Sequence, residues 1–201
     1  MRVELFKKGS FRTAEWTGGT TTELFIYPPA SECGARDFEA RISSATVEIE
    51  ESIFSDFDGY VRHITPLEGG IRLIHENHGK AALQPFEVDT FDGCWRTRAY
   101  GRCVDFNLIH RDGWRGGIVP LEKGASFDCP AGGFTGLYIL SEDVSVVVHC
   151  GGETHRHPAG RGDFALVESL DGAGCSASVE DARKRQGVLA VLAWISKVRT
   201  D

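Results

Sequence analysis

Arg41 and Arg62 are the side chains in this sequence best suited to recognising an acid. A guanidinium carries five donors in a fixed fork and grips a carboxylate through two parallel hydrogen bonds. Arg41 stands in Phe38-Glu39-Ala40-Arg41-Ile42-Ser43, and a strand reading puts it on the face of Ser43, Ala45 and Val47, opposite Phe38, Ala40 and Ile42. Arg62 lies in Tyr60-Val61-Arg62-His63-Ile64-Thr65. Between Val104 and Arg111, Asp105, Asn107 and Arg111 share one face, opposite Val104, Phe106 and Leu108. An acid, an amide and a guanidinium on one face suit a hydrogen-bonding pocket. Trp16-Thr17-Gly18-Gly19-Thr20-Thr21-Thr22-Glu23 adds a glycine-hinged loop that presents hydroxyls and a carboxylate. The expected ligand-binding set is therefore Thr22, Glu23, Arg41, Ser43, Arg62, His63, Asp105 and Asn107, and two guanidiniums suit a dicarboxylic acid. Plainer alternatives stand beside each reading. The threonines would also serve as a β-prone run after a turn, Arg41 as a surface partner of Glu39, and Asp105 and Asn107 as a solvent-facing strand.

The elements that must position these residues are short strands. From Gly59 to Asp92, apolar and polar residues alternate in runs broken at Glu68-Gly69-Gly70 and Asn77-His78-Gly79. Strands at such spacing with glycine turns indicate an antiparallel sandwich or barrel. Leu83, Pro85 and Phe86 are expected to begin a further strand. After a linker at Asp112–Gly117 the order of strand, turn, strand, turn, strand restarts through Leu137, Val144, Val148 and Phe164. This weak repeat predicts two related β modules, 1–112 and 113–201, with strands exchanged between them. Gly187–Val198 reads as a closing strand or a short helix, after an expected helical turn across Glu180–Arg185.

With 201 residues the chain can bury roughly 70% of its unfolded surface and needs no staple. Its net charge of −7 and lack of a long basic run argue against nucleic acid as a partner. No run of apolar residues is long enough to span a membrane, and the N-terminus lacks a secretory h-region. The six cysteines are scattered without a CxxC pair, so reduced thiols in a cytoplasmic protein are expected.

His155-Arg156-His157 has the HxH spacing of a metal site, since residues two apart on a strand share a face. It is expected at the hairpin turn after Gly151-Gly152, and neither a closely following carboxylate nor a later His completes it. His63, His75 and His78 are irregularly spaced, and no Gly-x-Ser-x-Gly elbow is present. No catalytic residue, metal or cofactor is assigned on these grounds. A binding module is preferred to a metal-dependent enzyme or a non-catalytic interaction protein.

Trp16–Glu23, Phe38–Ala45, Phe54–Arg62, Leu67-Glu68-Gly69 and Asp105-Phe106-Asn107, in that order, resemble the HutD/Ves family of bicupins. The resemblance implies an all-β fold of two cupin-like double-stranded β-barrels. It also implies a regulatory or protective role in histidine utilisation, with a formylglutamate-like small carboxylic acid as ligand. No Asn follows Trp16, where the family commonly has one. Barrels of this kind pair through strand edges, which makes a homodimer an expectation.

Overall fold

The computed structural model describes residues 1–169, 174–181, 183 and 187–198. Among them there is no helix, and hence none long and apolar enough to cross a membrane. The strands run, in chain order, β1 (Arg2–Phe6), β2 (Arg12–Trp16), β3 (Gly19–Tyr27), β4 (Ala40–Val47), β5 (Glu51–Ile53), β6 (Tyr60–Gly69), β7 (Ile71–His75), β8 (Gly79–Leu83), β9 (Asp89–Asp92) and β10 (Thr97–Tyr100). There follow β11 (Cys103–Arg111), β12 (Trp114–Glu122), β13 (Ser126–Cys129), β14 (Gly133–Ile139), β15 (Val144–Cys150), β16 (Glu153–Ala159), β17 (Phe164–Ser169), β18 (Cys175–Asp181) and β19 (Val188–Lys197).

Two compact units result, Phe11–Trp114 and a second formed by Met1–Ser10 with Arg115–Asp201. The first holds a six-stranded sheet, β2-β3-β4-β11-β6-β9, and a four-stranded one, β5-β10-β7-β8. The second holds a five-stranded sheet, β1-β17-β14-β19-β12, and a four-stranded one, β13-β18-β15-β16. Adding eight to the labels of β4 to β11 reproduces the pairing order of β12 to β19. One topology is thus used twice, with β2 and β3 added beside β4 and β1 added beside β17. The sheets stay separate ladders and do not close into one continuous barrel.

The boundaries depart from the expected 1–112 and 113–201. Residues 2–6 pair antiparallel with β17, from Arg2 opposite Glu168 to Phe6 opposite Phe164, so the first strand sits in the later unit. The expected linker is a tight turn at Asp112-Gly113 running straight into β12. Glycine suits that turn because Gly113 has a φ of 90°, a region costly for other residues. Leu83 ends β8, and Pro85 and Phe86 lie in the connection that follows. Gly187 precedes β19, which settles the tail as strand; the helical turn expected across Glu180–Arg185 lies largely outside the described residues.

Each unit is held by side chains alternating into the space between its two sheets. In the first unit Val47, Ile64, Phe91 and Cys103 of the larger sheet meet Ile71, Leu73, Leu83 and Ala99 of the smaller. Phe38, Phe57, Tyr60 and Ile109 form a separate buried group. The second unit packs Leu121, Leu137, Ile139, Val167 and Leu192 against Val144, Val146, Val148, Ala177 and Val179.

Reduced thiols do not hold throughout. Cys150 and Cys175 face each other across β15 and β18, with Cα atoms 4.3 Å apart, and form a disulfide. Their separation of 25 residues hides in the sequence what the strand register brings together. Cys33, Cys94, Cys103 and Cys129 are free thiols.

Candidate ligand-binding site

The middle strands of the six-stranded sheet carry the polar residues. β11 pairs with β4 so that Ile109 lies opposite Arg41, Asn107 opposite Ser43 and Asp105 opposite Ala45. On its other edge Ile109 lies opposite Arg62 and Asn107 opposite Ile64. Directly opposed residues of an antiparallel pair project to the same side. Ile64, Val47 and Cys103 belong to the core between the sheets, so Arg41, Ser43, Arg62, Asp105 and Asn107 point there too. Glu23 joins them from β3, opposite Ser43, at a bulge where the register shifts between Glu23 and Phe25. Bulges commonly re-aim a side chain beside a functional site.

Arg41 is already engaged. Its Nε donates to Glu23 Oε2 at 2.7 Å and its Nη1 to Ser43 Oγ at 3.0 Å. Its partner is Glu23, not the neighbouring Glu39, which takes the indole N–H of Trp114. Arg62 is only weakly held. Nη1 donates to Ser55 O at 3.3 Å and Nη2 to Asn107 Oδ1 at 3.4 Å, both long. Nε is buried and has no partner. The guanidinium carbon sits 4.5 Å from the centre of the Phe54 ring, 5.4 Å from Phe91 and 5.6 Å from Phe57, within cation–π range.

Asn107 is the bridge between Arg62 and Asp105. While its oxygen accepts from Arg62, its Nδ2 donates to Asp105 Oδ1 at 2.6 Å. Asp105 is only 3% exposed. Burial drives its pKa up to about 7, against the opposing pull of Arg62, Asn107 and the Ala45 amide. Burial likewise lowers Arg62 to about 10, with Asp105 opposing and Arg41 adding to the fall. The cluster is therefore a desolvated cation with a free donor beside a carboxyl poised between its two charge states.

Two of the expected residues are elsewhere. Thr22 lies opposite Ser44, on the other face, and its hydroxyl hydrogen-bonds Thr13 Oγ1 at 2.9 Å on the exposed side. His63 also faces away from Arg62, with Nδ1 2.8 Å from Thr90 Oγ1 and Nε2 3.1 Å from His110 Nε2. Burial, and then the neighbouring His110, lower its pKa to about 4. Successive residues of a strand point to opposite faces, so Glu23 and Arg62 turning inward sends Thr22 and His63 out. Sequence reasoning did not include the aromatic partners of Arg62. Phe54 and Phe57 stand only a few residues before Arg62 in the chain, but Phe91 reaches it only through the pairing of β9 with β6.

A cupin metal would need three or more converging ligands. Among the described residues no group of three His, Cys, Asp or Glu could hold one. His155 and His157 are not at the hairpin turn. They lie within β16 opposite Val148 and Val146, and share the face of those core valines. His155 Nε2 is 3.5 Å from Glu153, and His157 Nε2 is buried without a partner.

The HutD family profile matches residues 8–184 of the chain. No curated protein matches it. Among solved structures, it resembles the conserved protein of unknown function PA5104 from Pseudomonas aeruginosa PAO1, with a TM-score of 0.77, 22% identity and 98% of each chain covered. HutD from Pseudomonas fluorescens SBW25, solved in a formate condition, gives a TM-score of 0.75 at 21% identity, over 98% of this chain and all of that one. The oxalate decarboxylase of Lactobacillus farciminis, in a formate complex, gives 0.63 at 8% identity, over 98% of this chain and 87% of that one. At these identities the structures speak for a shared cupin-like fold, while the profile covers most of the chain and fixes the family. The chain is a member of the HutD family.

Proposed function

We propose that this protein is a bicupin that binds a small carboxylic acid in its Phe11–Trp114 unit, with one carboxylate of the ligand on Arg62. The observation that carries the reading is the Arg62 Nε, a buried donor on a cation without a partner. An unpaired buried charge is costly, and a carboxylate oxygen would both satisfy it and balance it. Phe54 and Phe91 give the bound group an apolar wall. Glu23, Arg41 and Ser43 stand on the same face of the sheet and offer a second, self-neutralised polar group to the rest of the ligand. The formate named for two of the structural relatives is in keeping with a small acid. The biological reading is a cytoplasmic regulatory or protective role in histidine utilisation, with a formylglutamate-like acid as ligand and no catalytic residue.

Calorimetric titration with N-formylglutamate and with formate tests this. Arg62→Ala should weaken binding by about 1.5–3 kcal/mol, the usual worth of a charge-assisted bond. Arg41→Ala should weaken it less, because Glu23 already holds that guanidinium. Thermal melts of both variants report whether the fold is intact. Unchanged affinity in a folded Arg62→Ala protein would overturn the assignment.

A further inference from the structure

We infer that the carboxylate site on Arg62 is proton-coupled: each carboxylate that binds there is taken up together with one proton, carried by Asp105. The inference rests on the proposed binding of an acid at Arg62 and adds its charge balance. Four charged side chains face this part of the interior. Glu23 and Arg41 form a direct ion pair with N and O 2.7 Å apart, and so contribute no net charge. Arg62 and Asp105 remain, and both are at least nine-tenths buried. With Asp105 ionised, the group is already neutral before any ligand arrives. A second carboxylate would then leave an uncompensated negative charge in a desolvated space, which is far more costly than protonating one of the two acids.

The hydrogen bonds single out which acid takes the proton. Arg62 does not contact the Asp105 carboxylate; its Nη2 goes to Asn107 Oδ1, and Asp105 is reached by the Asn107 side-chain amide and the Ala45 backbone amide. Asp105 therefore lacks the bidentate clasp that would hold it ionised, and Arg62 keeps Nε for the incoming group. The other titratable groups bearing on the cluster cannot substitute. Cys103, on the same face of β11, has its thiol pushed up to about 12. Cys33 and Arg36, from the connection before β4, act on Arg62 only by their field. His75 of β7, beyond Phe91, has both ring nitrogens occupied by Thr97 and Asp89. The burial that lifts Asp105 to about 7 places the uptake in the neutral range. Two carboxyl groups sharing one proton is an arrangement known to suit a site that cannot hold two negative charges.

The test uses carbon-13 formate as probe, its dissociation constant followed by NMR between pH 6 and pH 9 in the wild type and in Asp105→Asn. Formate stays ionised throughout this range, as does Arg62 over most of it. The expected result is affinity that falls tenfold per pH unit above about 7, the slope of one linked proton. In Asp105→Asn, which is neutral at every pH, affinity should be flat and should exceed that of the wild type at pH 8.5. A wild-type affinity independent of pH would overturn the coupling while leaving the acid site standing. A slope that persists in Asp105→Asn would overturn it too, by placing the proton elsewhere. Absence of binding at every pH would remove the acid site itself, and the coupling with it.

Discussion

Replacing Asp105 with Asn should stabilise the ligand-free protein, and by an amount that grows with pH. Asp105 has its pKa raised from 3.8 to about 7, chiefly by burial. A carboxyl raised in this way contributes stability that is complete below its unfolded pKa and is lost as pH rises through its folded value. Between pH 5 and pH 7 the unfolded chain has released this proton while the native protein still holds it. Two pH units at about 1.4 kcal/mol each amount to a loss of about 3 kcal/mol, and the loss is complete by pH 8. Asp105→Asn has no proton to lose and nearly the same shape, and its amide oxygen can still accept from Asn107 Nδ2. Its advantage over wild type should therefore widen by about 3 kcal/mol between pH 5 and pH 8. Any pH-independent difference between the two side chains cancels in that comparison, as do other titrating groups common to both proteins. Urea unfolding followed by tryptophan fluorescence at the two pH values measures it. An advantage that stays constant, or shrinks, as pH rises would refute the assignment of a destabilised carboxylate to this position.

Three further outcomes follow from other parts of the molecule. His63 has its pKa lowered from 6.5 to about 4, so its contribution to stability is complete above 6.5 and declines as pH falls through that window. His63→Gln should flatten the acid side of the stability curve by up to about 3 kcal/mol, read from unfolding at pH 4.5 and pH 7. Glu23→Gln leaves the Arg41 guanidinium unpaired beside Arg62, and should raise formate affinity several-fold while lowering the melting temperature; unchanged affinity would place Arg41 outside the field of the site. The Cys150–Cys175 disulfide closes a separation of 25 residues, so reduction or Cys175→Ser should cost about 2–4 kcal/mol. Peptide mapping without reductant should recover the two cysteines as one linked pair.

How far the site could be read from the sequence turned on strand period. Alternation alone put Arg41 with Ser43 and Asp105 with Asn107, and the register keeps both pairs together on the interior face. The same rule forbids Thr22 and Glu23, or Arg62 and His63, from sharing a face. Which member of each couple turns inward depends on pairing with β4 and β11 and on the bulge after Glu23, and these are tertiary facts. The partner of Arg41 shows the same limit. Glu39 is two residues away and Glu23 eighteen, yet Glu23 holds it at 2.7 Å because β3 lies alongside β4. Likewise nothing local in residues 2–6 marks them as partners of β17. The family resemblance implied the all-β, cupin-like class, but these pairings decide which of the family-like residues meet.

One topology used twice gives an internal comparison that bears on why the chemistry sits where it does. β11 and β19 occupy equivalent places in the repeated topology, β11 between β4 and β6 and β19 between β12 and β14. Where β11 reads Cys-Val-Asp-Phe-Asn-Leu-Ile-His-Arg, β19 reads Val-Leu-Ala-Val-Leu-Ala-Trp-Ile-Ser-Lys. Leu189, Ala190 and Leu192 accordingly join a continuous apolar core in the second unit. In the first, Arg62, Asp105, Asn107 and the Glu23–Arg41 pair share the interior face with apolar side chains such as Ile64 and Val47. A buried polar network stabilises a fold only when all its members are satisfied, and here Arg62 Nε is not. A polar cluster needed only to specify the strand register would have its donors closed among themselves, as the Glu23–Arg41–Ser43 arm does. The open donor and the raised carboxyl instead cost stability in the free protein, a cost that the proposed uptake of an anion with a proton would offset. The second unit repeats the strand order of the first, but β19 has no equivalent of β11's Asp105 and Asn107, which is why the proposed ligand site is assigned to the first unit alone.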